Sequence, residues 1–588
     1  MSLVSMARIA GLVGVVSLLV ACSAATPAPT LTPPATSDLG ATATPEPTAA
    51  AAVRPTQITQ PTATMTPKPT PETVALPPTI GVTGGSLTIA GLADIPHRDV
   101  HQAVQETLTS LGPGLAYSRL LRLSTGPDQA LPSLVLECDL CLSWEMTSDL
   151  GFEFHLRPGV HWQDIAPVNG RLLLADDLVF SYERLRTTGW PNAPLLSAVE
   201  SMEAPDAQTL RLTLSSPDAD LLLSLADGHA KVVAPEVVSE FGDLKTSPVI
   251  GTGPWIWERT QEGIGTTLSR NPTYFEEGVP FLDQLFISVI KEDGLEQSAQ
   301  QKALAAFSAG VVEVATLPPG KWGELQSSGL KFGTLDSGQA GTGVILTLNV
   351  RSPIFHDLNV RRAIFKAIDP WDYVDNYWSG QGYVSVGIPV ESADWLLGRS
   401  EIRPQNFADP SEARRFLTAS GLSLPVDIEL AVRTERFEGA YLNLAGRLAE
   451  DLQAVGFNPT IRGLNPARFG EVVVNENKDY QLALGVVPPT STTNSFLFAL
   501  LHSAGRWNLA EHQDNVLDAM IERQAVELDP VRRRDQIREI QRYVLDQAYL
   551  FSPITGSTRW VFDPDLRGFH PNTAISEYIY WSRTWLDR

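Results

Sequence analysis

Hydrophobic and polar side chains alternate regularly over residues 151–157 of the sequence. Phe152, Phe154 and Leu156 alternate there with polar residues, which is the period-2 pattern of a strand with one buried face. The Pro158-Gly159 pair then predicts a turn, because both residues interrupt regular structure. The stretch therefore predicts one strand that covers a core.

Hydrophobic residues return at helical spacing after residue 175. Asp176-Asp177 would open this helix, because acidic side chains are favoured near a helix N-terminus, and Leu178, Tyr182 and Leu185 would share one face. Two more amphipathic helices are predicted, over residues 441–455 and 529–548.

The N-terminus has the layout of an export signal over residues 1–21. Arg8 precedes an apolar stretch from 9 to 21 that is too short to span a bilayer and fits a signal-peptide core. The stretch ends in Leu-Val-Ala-Cys22, which resembles a bacterial lipobox, so Cys22 is the expected lipidation site. The alternative is an ordinary signal peptide that is cut nearby, with Cys22 incidental.

Residues 22–83 are rich in Thr, Pro and Ala and have few large apolar side chains. Such a segment cannot bury enough surface to fold, so it predicts a tether. A glycosylated, mucin-like stalk is the alternative, and it would have the same mechanical effect.

Composition limits the classes of partner. The chain has 588 residues with 67 acidic and 44 basic groups, a net charge of −23. This acidic balance disfavours nucleic acid and anionic lipid. The part after the tether, roughly 500 residues, is long enough for two or three domains.

Besides Cys22 there are only two cysteines, Cys138 and Cys141. A zinc site would require more ligands than this pair supplies, and no thioredoxin-like unit surrounds it. Two small buried residues and a local disulfide both remain open. The chain also lacks G-x-S-x-G, H-E-x-x-H and Walker A motifs, so neither an enzyme, a metal nor a cofactor is expected.

Two other patterns have a functional and a structural interpretation. His97 and His101 have the i, i+4 spacing of two metal ligands on a helix, but the neighbouring Pro96 favours a loop. Trp255 and Trp257 would lie on one strand face, where core packing is favoured over stacking on a ligand.

A series of ordered segments closely resembles the family 5 solute-binding proteins of ABC importers, and the resemblance covers nearly all of the chain after the tether. The segments are Trp144-Glu145, F-x-F-x-L-R-x-G-V-x-W-x-D from Phe152, A-D-D-L-V-F-S-Y from Ala175, Gly251-Thr252-Gly253-Pro254, R-N-x-x-Y from Arg270, Val360-Arg361-Arg362-Ala363 and Ala367-Ile368-Asp369.

The resemblance implies an α/β protein of the type II periplasmic-binding-protein class, with two lobes around a cleft and an extra domain. Closure about a hinge would trap the ligand, and the strand from Val344 to Val350 would be one hinge crossing. The expected boundaries are 84–125, 240–343 and 553–588 for lobe I, 126–239 for the extra domain and 344–552 for lobe II.

The resemblance also supplies a ligand-binding segment, which consists of Gly485, Val486, Val487 and Pro489. In peptide-binding members an aspartate in this segment pairs with the free α-amino group of the ligand, and Pro489 stands in its place. Thr347 similarly stands where those members carry a glutamate on the hinge strand. A free, unmodified short peptide is therefore less favoured than in the family at large.

Three further residues complete the expected site. Asn508, after Trp507, matches an asparagine near the family's cleft, and both are expected to line the site. Glu106 is included because a shift of a few residues in the comparison could recruit Glu106 or Glu438 as the missing acid.

The implied function is an extracytoplasmic receptor, anchored to the cell membrane by lipid, that captures a peptide-like or related solute and delivers it to ABC permease subunits. The expected receptor is a monomer without nucleic-acid partners. The alternative is a binding protein that signals to a membrane receptor without transport.

Overall fold

The computed structural model describes residues 81–129, 133–291, 298–318, 320–337, 343–377, 380, 382–434, 440–475, 478–486, 490, 492–555, 558–572 and 579–588. The predicted signal peptide, Cys22 and nearly all of the predicted tether lie outside these ranges.

The first part of the chain combines short strands and helices. Its strands are β1 (Ser86–Gly91), β2 (Leu121–Leu123), β3 (Leu136–Cys138), β4 (Cys141–Ser148), β5 (Gly151–Leu156), β6 (Val199–Asp206) and β7 (Thr209–Leu214). Its helices are α1 (Glu106–Thr109), α2 (Ala175–Leu185), α3 (Leu221–Leu225) and α4 (Pro235–Phe241). The predictions for β5 and α2 are confirmed, including the burial of Phe154 and Tyr182.

The middle part carries the strands that lead to the second lobe. They are β8 (Trp255–Gln261), β9 (Gly265–Arg270), β10 (Gln284–Val289), β11 (Val314–Thr316), β12 (Gly333–Ser337) and β13 (Gly343–Leu348), with helices α5 (Ala299–Ser308) and α6 (Trp322–Ser327). Trp255 is fully buried and Trp257 is half-buried against the same core, which confirms that the pair packs inside.

The last part is largely helical. Its helices are α7 (Leu358–Ala367), α8 (Pro370–Tyr377), α9 (Arg399–Asn406), α10 (Pro410–Ala419), α11 (Ala440–Gln453), α12 (Pro466–Phe469), α13 (Thr493–Phe496), α14 (Asn515–Ala525) and α15 (Pro530–Asp546). Its strands are β14 (Val426–Arg433), β15 (Phe457–Leu464), β16 (Leu482–Val486), β17 (Leu550–Thr555), β18 (Thr558–Phe562), β19 (Leu566–Arg567) and β20 (Trp585–Leu586). The two helices predicted here are α11 and α15.

Three sheets define the architecture. A seven-stranded sheet has the order β12-β18-β11-β1-β10-β9-β8, a five-stranded sheet the order β15-β14-β16-β13-β17, and a four-stranded antiparallel sheet the order β4-β5-β7-β6. We refer to the parts that contain them as lobe I, lobe II and the extra domain, respectively.

The chain passes between the two larger sheets twice, at neighbouring places. In the first sheet Ser337 at the end of β12 pairs with Thr558 at the start of β18. In the second sheet Gly343 at the start of β13 pairs with Thr555 at the end of β17. The second sheet therefore extends slightly past the expected 344–552 range at both ends. The two crossings lie side by side, and the edge of each lobe that faces them is called its hinge side.

Of the four hydrophobic cores in the described ranges, two show how the lobes and the extra domain pack. The core of lobe II consists only of residues between Val344 and Ile554. A separate core combines the extra-domain strands with residues of lobe I such as Val100, Leu120 and Ile250. The extra domain is thus packed onto lobe I.

The two cysteines form a disulfide between Cys138 and Cys141, with Cα atoms 5.0 Å apart. The structure therefore selects the local disulfide among the alternatives. His97 and His101 lie in a loop, and the ring of His101 bonds to the Lys231 carbonyl through Nε2 at 2.9 Å, so the pair does not form a helical metal site.

Candidate functional site

The carboxyl ends of three strands meet at one edge of the lobe II sheet. Strand β14 is parallel to both β15 and β16, so Arg433, Leu464 and Val486 end at the same edge. Val486 pairs with Val344 at the start of β13, which places this carboxyl edge on the hinge side of the lobe. Ligands of open α/β sheets bind beside the carboxyl ends of strands. The carboxyl edge is therefore the candidate binding surface.

Gly485 and Val486 form the end of β16 at this edge. A Cβ on Gly485 would lie 2.6 Å from the Phe469 ring, so close packing within lobe II is one reason for glycine here. Val486 is half-buried and is the last residue of the strand. Val487 and Pro489, the other members of the expected segment, lie outside the described residues.

Thr347 lies within the core of lobe II. It is 1% exposed on β13, between Ala483 of β16 and Leu550 of β17. Burial raises the pKa of the neighbouring Tyr480 phenol well above its ordinary value, which the nearby Thr347 hydroxyl opposes in part. The position is thus occupied by a buried neutral side chain.

Trp507 and Asn508 lie near the opposite end of β16. The Asn508 Nδ2 donates to the His512 carbonyl at 2.8 Å, and the Asn508 carbonyl accepts from Lys478 Nζ at 2.8 Å. Lys478 precedes β16, whereas Val486 ends it, and a strand of this length spans about 15 Å. The structure therefore does not bring Trp507 and Asn508 together with the Gly485–Val486 end.

The arrangement gives Trp507 and Asn508 a structural role in their own loop. Trp507 is half-buried against the lobe II core, with the Arg506 guanidinium carbon 5.5 Å from its ring centre. Glu106 is the first residue of α1, and its side chain is outside what the structure describes, as is all of Glu438.

Sequence reasoning missed a polar contact between the extra domain and lobe II, close along the chain to the binding segment. Asp220 pairs with Arg533 at 2.5 Å, and Asp218 and Asp220 both accept hydrogen bonds from Asn494. Burial, aided by the charge of Asp220, raises the pKa of Asp218 to about 6. Burial also raises the pKa of Glu391, against the effect of Arg533.

One group of possible metal ligands lies on the extra-domain sheet within the described ranges. Glu145, Glu153 and His155 place their ligand atoms within 4.8 Å of one another on the exposed side of β4 and β5. Arg211 already pairs with Glu153 at 2.8 Å, so this group is a partly neutralised surface cluster. Of the helices that the structure describes, none has the length and apolar character required to cross a membrane.

The two larger sheets and the paired crossings give the fold of a type II periplasmic binding protein, as the family resemblance implied. The family model "Bacterial extracellular solute-binding proteins, family 5 Middle" matches residues 136–508, more than half of the chain. The chain therefore belongs to this family. By its family it is an extracellular solute-binding protein.

Individual relatives agree with this assignment. The chain is 26% identical over 508 residues to "Probable di/tripeptide-binding protein 5" of Pseudomonas aeruginosa, covering 81% of this chain and 91% of the relative. The fold is similar to the ABC transporter substrate binding protein CtaP of Listeria monocytogenes, with a TM-score of 0.72, 19% identity, and 86% and 100% coverage. DppA of Helicobacter pylori, solved with the peptide STSA, gives a TM-score of 0.67, 19% identity, and 86% and 99% coverage.

Proposed function

We propose that this receptor binds a peptide-like solute at the carboxyl edge of lobe II, closes lobe I over it, and delivers it to an ABC permease. The observation that carries the proposal is the position of Val486 and Gly485. They end a strand on the hinge side of the lobe, beside both crossings of the chain. The di/tripeptide-binding relative and the peptide complex of the Helicobacter pylori protein support a peptide-like ligand.

Native mass spectrometry of the protein purified from its host tests the proposal directly. A high-affinity receptor retains its solute through purification, so a bound mass in the range of a short peptide is expected. Ligand that binds only the native state should also raise the melting temperature with concentration. A retained solute with no amide or amino-acid component would contradict the peptide-like class.

Uptake separates transport from sensing. Deletion of the gene should abolish uptake of the isotopically labelled solute by the host. Normal uptake by the deletion strain, together with loss of a ligand-induced response, would support the signalling alternative instead.

We expect that N-acetylation of a peptide ligand changes its affinity by less than about 1 kcal/mol, or about fivefold. The reason is that Pro489 and Thr347 supply no charge for a ligand ammonium, whereas related receptors use acidic residues at these places. Calorimetric titration with a free and an acetylated peptide of the same sequence measures the difference. A tenfold loss on acetylation would show that a carboxylate does anchor the ligand.

The variant Pro489→Asp provides a matched control for this titration. The introduced carboxylate should restore a charge-assisted hydrogen bond, worth about 1.5–3 kcal/mol, to the free amino group. The variant should therefore prefer the free peptide to the acetylated one by tenfold or more, which also tests the placement of the segment.

We also propose that Cys22 carries a lipid anchor and that residues 22–83 tether the receptor to the outer surface of the membrane. Cys22→Ala should move the protein from the membrane fraction to the soluble fraction or leave it unprocessed, because two acyl chains supply the anchoring that a single chain cannot. Immunoblotting of fractionated cells and N-terminal mass spectrometry measure this. Unchanged membrane association with an identical N-terminus would contradict lipidation.

A further inference from the structure

The extra domain is fixed to lobe I by buried contacts. The two share one hydrophobic core, and Arg184 of α2 pairs with Asp99 of lobe I at 2.5 Å, with both side chains buried. The Gln163 side chain also donates to the Trp255 carbonyl at 2.8 Å. Lobe I and the extra domain therefore form one body during any movement about the hinge.

The extra domain touches lobe II at the Leu134 N–H, which donates to the Glu391 carbonyl at 3.0 Å, and through a short loop before α3. The Ala219 N–H donates to the Ala525 carbonyl at 2.9 Å, and Arg533 of α15 donates to the Ala219 carbonyl at 3.0 Å. Arg533 also pairs with Asp220 at 2.5 Å, and the two side chains are only 3% and 2% exposed. This contact is polar, and the described core of lobe II contains no residue of the extra domain.

The same loop holds the first turn of α13. The Asn494 N–H donates to Asp220 at 2.6 Å, and the Asn494 amide donates to Asp218 at 3.1 Å. Gln524 donates to the Asn494 side-chain oxygen at 2.8 Å, which fixes its orientation. Asn494 follows Pro489 by five positions in the sequence, so the loop restrains the chain just after the binding segment.

We propose that Asp218 and Asp220 of the extra domain form a latch with Arg533 and Asn494 of lobe II, which holds the receptor closed. The proposal rests on the proposed function, since it assumes that the lobes close over a ligand. It assigns the extra domain a role in closure, in which Asp220 contacts both Arg533 and Asn494.

The proposal depends on the difference between the apolar contacts of the extra domain with lobe I and its polar contacts with lobe II. Opening about the hinge leaves the shared core of lobe I and the extra domain intact, but it must separate Asp220 from Arg533. A buried ion pair depends strongly on both partners, because removal of one leaves an unpaired charge in a poorly solvated site. A change at Asp220 should therefore shift the balance between closed and open forms toward the open form.

A cross-link measures the closed form without any ligand. The hydrogen bond between Ala219 and Ala525 brings their Cα atoms to within about 7 Å, which a disulfide can span. The full chain with Ala219→Cys and Ala525→Cys should form this cross-link under mild oxidation. Ala219→Cys alone is the control for reaction with other thiols.

Substitutions in the latch are then combined with the Ala219→Cys and Ala525→Cys pair. Asp220→Asn or Arg533→Gln should slow cross-linking by about tenfold or more. X-ray scattering gives a second readout: the Asp220→Asn protein should have a larger radius of gyration before cross-linking than after it. Arg534→Gln is the matched control, because Arg534 lies on the same helix but is 35% exposed, and it should leave the rate unchanged. A melting curve of each variant confirms folding.

These experiments test the latch independently of the proposed receptor function. Equal cross-linking rates in all variants, or equal radii for linked and unlinked Asp220→Asn, would show a fixed contact rather than a latch. Failure of the otherwise unmodified cysteine pair to cross-link would show that the contact is not formed in solution. None of these readouts uses a solute, so a failure to find bound peptide would contradict the proposed function and leave the cross-linking result standing.

Discussion

Replacement of Arg122 by methionine should lower the free energy of unfolding by about 3–5 kcal/mol. Arg122 is buried and is surrounded by Glu137 at 2.6 Å, Asp139 at 3.3 Å and Glu276 at 2.5 Å. Burial alone would raise the pKa of Glu276, but Arg122 and Arg583 hold it below its ordinary value. Methionine would leave these acids without their main counter-charge. Urea denaturation at pH 7 measures the loss.

Arg211→Met is the matched control for this experiment. Arg211 pairs with Glu153 at 2.8 Å on the exposed side of the extra-domain sheet, where solvent screens the pair. Its replacement should leave the denaturation midpoint almost unchanged. The loss caused by Arg122→Met should also shrink as the pH is lowered, because protonated acids need no counter-charge. A pH-independent loss would indicate a packing effect instead.

Local patterns in the sequence predicted the elements well because each pattern reflects a local cause. The alternation around Phe154 requires only that one face of a strand be buried, and the spacing of Leu178, Tyr182 and Leu185 requires only a helix with one buried face. Asp529 likewise accepts from the Arg532 N–H at 2.8 Å as the N-cap of α15, where the sequence placed a helix start. The family resemblance supplied the arrangement of lobes, which no local pattern contains.

Contacts between distant segments could not be predicted in the same way. The Asp220–Arg533 pair joins residues 313 positions apart, and nothing in either local sequence indicates the other. The placement of Asn508 near the cleft stays a prediction, because similarity to a family motif gives a position in the sequence and not a distance. The structure places Asn508 at the other end of β16, where it holds its own loop.

Acidification from pH 7 to 4.5 should lower the free energy of unfolding by several kcal/mol. Burial, reinforced by Arg184, lowers the pKa of His101 to about 4, and burial lowers the pKa of His512 to about 4 despite nearby Asp514 and Asp518. An unfolded histidine has a pKa near 6.5, so between these values the unfolded state binds more protons than the folded state. The stabilisation is complete above pH 6.5 and is lost as the pH falls toward 4, by up to about 3 kcal/mol for each histidine.

Other titratable groups, some of them distant from the two histidines, modify the size of this loss. Asp218 has the opposite sign, because its raised pKa of about 6 makes the folded state bind a proton more readily and so adds stability as the pH falls through 6. Around His101, Asp99 favours the protonated ring, whereas Arg184 and His229 oppose it. Burial also raises the pKa values of Glu391, Asp139 and Asp451, which act in the same direction as Asp218. The lowered carboxyl pKa values, such as those of Asp99 and Glu276, add to the loss on acidification, so together with the two histidines the net effect should be destabilisation.

Denaturant titrations at pH 7 and pH 4.5 of the unmodified protein, His101→Gln and His512→Gln separate these contributions. Each replacement should cost stability at pH 7 through lost contacts, but the difference between the two pH values should shrink, because glutamine does not titrate. The difference between pH values, rather than the stability at either one, is thus the informative quantity. If both variants lose as much stability on acidification as the unmodified protein does, groups other than the buried histidines control its acid sensitivity.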